Sequence, residues 1–241
     1  MNITEFYQQD SLGLKFEFAP LLTRSPILNY LTSQSGPFSV IDIGGGADLW
    51  SHEVVTLVVD MIEKSEIKKV INHIPTPVDS SSFDFIQCDI TRESGWQKII
   101  DYTSIHGIFD FAICSHVLED IPLPEIVLEF LPKVARMGFI SSPSANKELS
   151  KNSLGLPFKG YDHHRYFFTP GYERFEDGEL VILPKYTMIE HILFDIDHSV
   201  VKEELQCFWK GSIPFSSIFD YLKGSRLDGK PLWQVYSSLN F

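Results

Sequence analysis

Two stretches of this sequence hold side chains whose types and spacing can do chemistry. The first, "GYDHHRYFFTP" (Gly160 to Pro170), sets His163 and His164 beside Arg165, Tyr166, Phe167 and Phe168, in a chain of 241 residues with only eight histidines. A neutral imidazole can take a proton near neutral pH. A guanidinium can hold a carboxylate or phosphate, and Tyr166 with its aromatic neighbours offers flat faces to a sugar or ring. The second stretch, "DIGGG", runs from Asp42 through Gly44, Gly45 and Gly46. Glycines let backbone come close to a ligand, and a helix starting just after them would aim free N–H groups at it. Asp60 follows eighteen residues after Asp42, a place from which an acid can accept both hydroxyl hydrogens of a ribose. Asp89 in "FDFIQCD" can meet an adenine edge, and Ser115 and His116 end the run "IFDFAICSH".

Each of these residues also has a plainer reading. The glycines can form a tight strand-to-helix turn. Asp60 and Asp89 can cap the segments that follow them. Glu119 and Asp120 read as a cap and a solvated face. Histidines beside aromatics often cap loops or pair with buried carboxylates. What favours a ligand site is the order in which the set occurs.

The elements that must position them are legible as short apolar runs. "FSVIDI" (Phe38 to Ile43), "VVTLVVD" (Val54 to Asp60), "FDFIQCD" (Phe83 to Asp89), "IFDFAICS" (Ile108 to Ser115) and "RMGFISSPS" (Arg136 to Ser144) read as five buried strands. Near-continuous apolar strands predict a parallel sheet covered on both faces. The acids, Ser115 and His116 then fall at carboxyl ends of strands, where open α/β sheets bind ligands. "LPEIVLEFLPKVAR" (Leu123 to Arg136) has helical spacing with Pro132 inside it. The segment from about Phe16 to Ser35 reads as helical pieces broken by Pro20 and Pro26. Past Ser144 the chain is polar, aromatic and rich in Gly and Pro, with later strands at "ELVILP" and "LQCFWKG". The expectation is one domain over 1–241: an N-terminal helical segment (1–37), a cofactor-binding core (38–144), and a cap that also completes the sheet (145–241).

Composition narrows the partners. A formal net charge of -12, with no long basic cluster, disfavours nucleic acid. No apolar run is long enough to span a membrane, and the first residues lack a signal-peptide pattern. Cys88, Cys114 and Cys207 lie far apart inside apolar runs, as expected of buried reduced thiols in a cytoplasmic protein. Dinucleotide binding would want G-x-G-x-x-G. Gly44 and Gly46 match, but Leu49 occupies the third glycine position.

The motifs "VIDIGGGADLW", "VVD", "FDFIQCDIT" and "FDFAICSHVLEDIPLPEIVLEFLPKVARMGFISSPS", in this order, resemble class I S-adenosylmethionine-dependent methyltransferases, especially the type-11-like group. The likeness covers roughly 38–144, and "SHVLED" (Ser115 to Asp120) fits that group's pattern after its fourth strand. The resemblance implies a Rossmann-like, seven-stranded, mostly parallel sheet with helices on both faces and a cap segment after the fifth strand. It implies S-adenosyl-L-methionine as cofactor. Asp42, Gly44, Gly45 and Gly46 would line its methionine end, Asp60 would hold the ribose, Asp89 would approach the adenine, and Ser115 would lie near the sulfonium. One departure is Asp48, where the family often has a third glycine. The Gly-x-x-His-His-Arg-aromatic stretch and the later "LVILPK" are also similar to bacterial proteins resembling this subgroup, with no role attached.

Methyl transfer from a sulfonium is an in-line displacement in which alignment supplies much of the catalysis. A hydroxyl acceptor must also lose a proton, and His163, His164 or His116 is the expected base. Two adjacent histidines on a strand face opposite ways, so one of the pair would act and the other pack. Arg165 and Tyr166 would contact the acceptor, a small molecule or a glycan. A bound metal would serve the same end. His163, His164 and His116 could converge on one, but no His-x-x-x-His spacing or carboxylate cluster signals it, so no metal is expected. The alternative function is a methyltransferase-fold protein that binds a partner without catalysis.

Overall fold

The computed structural model describes residues 3–8, 12–71, 73–150, 160–161, 163–171, 178–185 and 203–217. Its elements run in the order α1 (Ile3–Gln8), β1 (Gly13–Ala19), α2 (Ser25–Thr32), β2 (Val40–Ile43), β3 (Leu57–Asp60), β4 (Lys68–Ile71), β5 (Ile74–Pro77), β6 (Asp84–Gln87), α3 (Glu93–His106), β7 (Phe109–Ser115), α4 (Pro124–Val134), β8 (Ala135–Pro143), α5 (Ala145–Leu149), β9 (Tyr166–Pro170), β10 (Leu180–Pro184), β11 (Glu204–Lys210) and β12 (Phe215–Ser217).

The five apolar runs form β2, β3, β6, β7 and β8, which pair in parallel. They belong to a seven-stranded sheet of order β1-β11-β8-β7-β2-β3-β6. β11 is antiparallel to both β8 and β1, so six strands run one way and one the other. Successive residues of β7 serve opposite faces, as a pleated strand requires. Ala112 and Cys114 join the cluster with Trp96 and Ile99 of α3 and Val127, Leu128 and Leu131 of α4. Phe111 and Ile113 join Phe6 and Tyr7 of α1 and Ile27, Tyr30 and Leu31 of α2. Helices therefore cover both faces, and the architecture is a Rossmann-like, mostly parallel α/β sheet. β2 is the hinge of the topology. The chain runs from β2 outward to β3 and β6, then returns to β2's other side as β7. Such a reversal opens a crevice at the carboxyl ends of the flanking strands.

The structure differs from the sequence-based expectation in three places. The N-terminal segment is not helical throughout, because residues 13–19 form β1 at the sheet edge. "GLKFEFA" alternates apolar and charged residues, a period-two pattern, and Leu14, Phe16 and Phe18 pack on the core while β1 pairs with β11. Second, no α-helix follows the glycine loop; only a 3₁₀ turn forms over Gly45–Ala47 before β3. Three successive glycines each lower helix stability by about 1 kcal/mol relative to alanine. Third, "LVILP" does not join the main sheet. It is β10, the central strand of a second sheet of order β12-β10-β9. That small sheet follows β8, where a cap is expected, and Ser144 at the end of β8 bridges to Phe168 of β9. β11, the strand expected at "LQCFWKG", completes the main sheet beside β8, and residues 151–159, 162, 172–177, 186–202 and 218–241 of the expected cap lie outside the described residues. Pro132 falls in the last turn of α4, which ends two residues later.

Gly138 shows how tightly the sheet is covered. The Tyr7 hydroxyl donates to its carbonyl at 2.7 Å. A Cβ built on it would lie 2.3 Å from the Ala112 carbonyl oxygen and 2.8 Å from Trp209 Nε1. Overpacking of this kind costs ~1–3 kcal/mol, and chemical denaturation of Gly138→Ala should show a loss of that size.

Candidate functional site

The site grows out of the loop after β2. Gly44 takes a φ of 77°, in the left-handed region, and a Cβ there would strike Val117 Cγ2 at 2.4 Å. Only glycine satisfies both demands at this position. Asp60, at the end of β3, accepts from the Gly46 N–H at 2.8 Å and from the Ile62 N–H at 3.1 Å. A Cβ on Gly46 would sit 2.8 Å from Asp60 Oδ2 and 2.6 Å from Ile62 Cδ1. The loop and the acid are thus built against each other. Asp48 closes the loop's far side, its Oδ1 accepting from Val70 N–H at 2.8 Å, and so ties the loop to β4.

Beside them opens a cavity of about 290 Å³, lined by Gly44, Ala47, Asp60 and Ile62 from one side and by Cys88, Ile90 and Thr91 from another, with His116, Val117, Asp120 and Ile121 completing it. It lies at the carboxyl ends of β2, β3, β6 and β7. Its chemistry is mixed: apolar walls at Ile62, Ile90, Val117 and Ile121, with one carboxylate at Asp60 and another at Asp120. Each Asp60 oxygen keeps a lone pair beyond its backbone bond.

Of the residues expected at the cofactor, Gly44 and Asp60 line this cavity, whereas Asp42, Gly45, Gly46, Asp89 and Ser115 do not. Asp42 is buried beneath the loop, and Ser51 Oγ donates to it at 2.5 Å. Burial pushes its carboxyl up to about 7, although the Ser51 bond and the charge of Arg24 oppose the rise. A Cβ on Gly45 would strike this carboxyl, so Asp42 supports the glycine loop from below. Asp89 turns onto Thr91, accepting from its N–H at 2.9 Å and its hydroxyl at 2.6 Å. These bonds hold its carboxyl below the usual range. It shapes the turn into α3 while its neighbours Cys88 and Ile90 face the cavity. Ser115 Oγ pairs with Ser141 Oγ at 3.0 Å across β7 and β8.

His116 has a φ of 55°, an uncommon conformation for a residue with a Cβ. Its ring lies between two buried carboxylates. Nε2 is 3.1 Å from Glu204 Oε2 and Nδ1 is 3.1 Å from Glu119 Oε1. The Glu119 contact has ion-pair distance without hydrogen-bond alignment, and neither Glu119 oxygen has a hydrogen-bond partner among the described residues. Burial pushes the imidazolium pKa down, but Glu119 and Glu204 together raise it further, to about 9. His116 therefore carries its proton at neutral pH, and a protonated imidazole does not act as a base there. Glu204 also accepts from Arg24, Gln206 and the Leu22 N–H at 2.7–2.9 Å. Burial raises its carboxyl, but His116, Arg24 and Gln206 together lower it to a net position below the usual range.

The opening stretch packs against the loop after β7. The Glu119 carbonyl accepts from the Arg165 N–H at 2.7 Å, and the Tyr166 hydroxyl donates to the Pro122 carbonyl at 3.0 Å. The loop after β7 and the start of β9 are thereby laced together. Arg165 is exposed. His163 and His164 precede β9 in irregular backbone, so strand alternation does not separate them. Both Nε2 atoms approach Asp120 Oδ1, at 4.0 Å from His163 and 3.8 Å from His164. His163 is largely exposed, with 62% of its side chain accessible, whereas His164 has 6%. His116 does not join them; Asp120 does.

Sequence reasoning missed several residues that hold this site. Glu204 had a signal: an acid opening an otherwise apolar strand, "ELQCFWK". Glu148, fully buried, lies 2.6 Å from His164 Nδ1 and takes Lys185 Nζ at 2.5 Å. No local pattern marks it, because its partners lie 16 and 37 residues away. Glu119 is not a solvated cap but a buried acid.

No family model matches the sequence, and no curated protein matches it. Solved structures do show likeness. The N-terminal domain of EvdMO1 with SAH bound is 11% identical over 76% of this chain and 78% of that one, with a TM-score of 0.37. The plantazolicin methyltransferase BpumL, in complex with a triazolic desmethylPZN analog and SAH, is 13% identical over 77% and 82%, with a TM-score of 0.40. A cyclopropane-fatty-acyl-phospholipid synthase-like protein from Lactobacillus casei ATCC 334 is 10% identical over 54% of each chain, with a TM-score of 0.31. At these values the likeness assigns no residue a role, and the architecture rests on the strand order itself. Among the described residues no helix is long and apolar enough to cross a membrane.

The His116 geometry has a measurable consequence. With a folded pKa of about 9 against roughly 6.5 unfolded, the protonated ring contributes stability that is complete below pH ~6.5 and is lost as pH rises through about 9. Denaturant unfolding of wild type and His116→Gln across this window should show the wild-type advantage shrinking toward alkaline pH. A difference constant with pH would mean that the ring is not charged in the folded state.

Proposed function

We propose that this chain is an S-adenosylmethionine-dependent methyltransferase acting on a hydroxyl of a small molecule or glycan. The observation that carries the reading is the coupling of Asp60 to the glycine loop, Gly46 N–H to carboxylate, at the mouth of a cavity on the sheet's topological switch point.

The residues present fit the cofactor. Asp60 offers acceptor positions to a ribose diol, and the apolar walls at Ile62, Ile90 and Val117 suit an adenine face. Gly44 to Gly46 leave the loop without side chains. When bound, the cofactor would supply an electrophilic methyl group for the acceptor oxygen, with the sulfide as leaving group. The protein's part is alignment and control of that proton. Val117 and Ile121 exclude water from one wall. His116, fixed as an imidazolium between Glu204 and Glu119, holds the strand end in place and leaves the acceptor's proton to other groups. Asp120 lines the cavity, His163 and His164 approach it from the stretch before β9, and the three are the groups assigned to the acceptor side. Arg165, exposed next to them, would meet an anionic or polar part of the acceptor. The net charge of -12 fits a small-molecule or glycan acceptor better than nucleic acid.

Calorimetry tests this reading directly. S-adenosylmethionine and S-adenosylhomocysteine should bind and NAD should not; binding of NAD alone overturns it. A charge-assisted hydrogen bond contributes ~1.5–3 kcal/mol, so Asp60→Ala should weaken S-adenosylhomocysteine about 10–100-fold in a protein that still folds. Unchanged affinity would place the ribose elsewhere.

A further inference from the structure

We propose that Asp120, His163 and His164 form a binding site for a divalent first-row transition ion at the acceptor side of the crevice. One donor atom from each of the three lies within 4.8 Å of the others. The separations are those of loose ion pairs without hydrogen bonds. At 3.8 and 4.0 Å from Asp120 Oδ1, the two Nε2 atoms stand too far for hydrogen bonds, which run to about 3.2 Å. Bonds of about 2.0–2.2 Å to a tetrahedral zinc would put its ligands roughly 3.3–3.5 Å apart. Each imidazole needs to close on Asp120 Oδ1 by only about half an ångström.

The surroundings of His164 supply an independent observation. Its Nδ1 donates to Glu148 Oε1 at 2.6 Å, which fixes the tautomer and turns the Nε2 lone pair toward Asp120. A ligating histidine commonly has its second nitrogen held by a carboxylate in this way, and loss of that partner lowers metal affinity about 10–100-fold. Glu148 is in turn fixed by Lys185 Nζ and the Tyr161 N–H, so its orientation is determined before any ion arrives. The His163 ring lies edge-on to His164 at 4.4 Å between centroids, and its exposure leaves a way in from solvent.

Two imidazoles and one carboxylate suit zinc and its neighbours better than magnesium or calcium, which favour oxygen ligands. Three protein ligands leave coordination positions open. Because Asp120 is also part of the cavity wall, an acceptor hydroxyl entering the crevice would fill one of them, and the ion would lower that hydroxyl's pKa. This role in catalysis rests on the methyltransferase reading; the ion site itself does not.

The full chain, stripped with a chelator, should bind one equivalent of Zn²⁺ by calorimetry and give a Co²⁺ visible spectrum of nitrogen and oxygen ligation. His163→Ala and Asp120→Asn alter accessible groups and should each weaken Zn²⁺ at least ~100-fold, with Glu148→Gln weakening it ~10–100-fold. Affinity for S-adenosylhomocysteine, measured on His163→Ala and Glu148→Gln, should stay within about threefold. Failure of the wild type to bind Zn²⁺ or Co²⁺, or stoichiometric binding that survives both His163→Ala and Asp120→Asn, overturns the site. If the site fails while S-adenosylhomocysteine still binds, the cofactor reading stands alone. If Zn²⁺ binds and S-adenosylhomocysteine does not, the ion site stands and the methyltransferase reading falls.

Discussion

A carboxylate buried in a sheet must be paired or give up its charge. Glu204 meets this constraint by drawing on its own strand and on two distant parts of the chain. Arg24 and the Leu22 N–H come from the N-terminal segment, Gln206 from its own strand, and His116 from the loop after β7. The requirement fixes more than one ion pair. It holds β11 against the neighbourhood of the crevice, draws the stretch between β1 and α2 across the strand ends, and locks His116 in a left-handed conformation. Arg24 extends the set by lying over the Trp50 ring at 5.2 Å. The alternation of charge along Arg24, Glu204, His116 and Glu119 lets four ionisable groups occupy a dry region together.

The crevice is built on the same logic of mutual support. Asp42 is forced toward neutrality by burial and steadies the glycine loop through its contact with Gly45. Asp60 stays at the cavity and takes the loop's N–H groups. Two acids that look alike in sequence, each near the end of a short apolar strand, thus do opposite work because one lies below the loop and the other beside it. On the acceptor side, Glu148 and Lys185 form a second buried pair, and its role is to orient His164.

Much of the central architecture was legible because it is written locally. The five apolar runs specify five parallel strands, and the order of Gly44, Asp60 and His116 along them specifies a cavity at their ends. β1 was legible too, in the alternation of Leu14, Phe16 and Phe18, but proline spacing outweighed that signal. What the sequence could not convey was where side chains turn once the loops close. Asp89 bends to Thr91 over a distance of two residues, a choice made by local hydrogen bonding. Ser115 finds Ser141 only because β7 and β8 are neighbours. The grouping of Asp120 with His163 and His164, and the orienting Glu148, depend on the cap's path back to α5 and the loop after β7. No spacing rule connects residues 120, 148, 163 and 185.

The pairing of Gly13 with Lys210 ties the order of assembly to the order of synthesis. β1 is among the first strands to be made and nearly the last to find its neighbour. Until β11 is present, Leu14, Phe16 and Phe18 have no sheet edge to cover and the strand's backbone donors and acceptors face water. Closing so long a loop is slow compared with local pairing, so the chain spends that interval with an open strand edge, the feature that promotes association between unfinished copies. Lys15 and Glu17, alternating with the apolar residues, put charges of both signs on that strand while it waits.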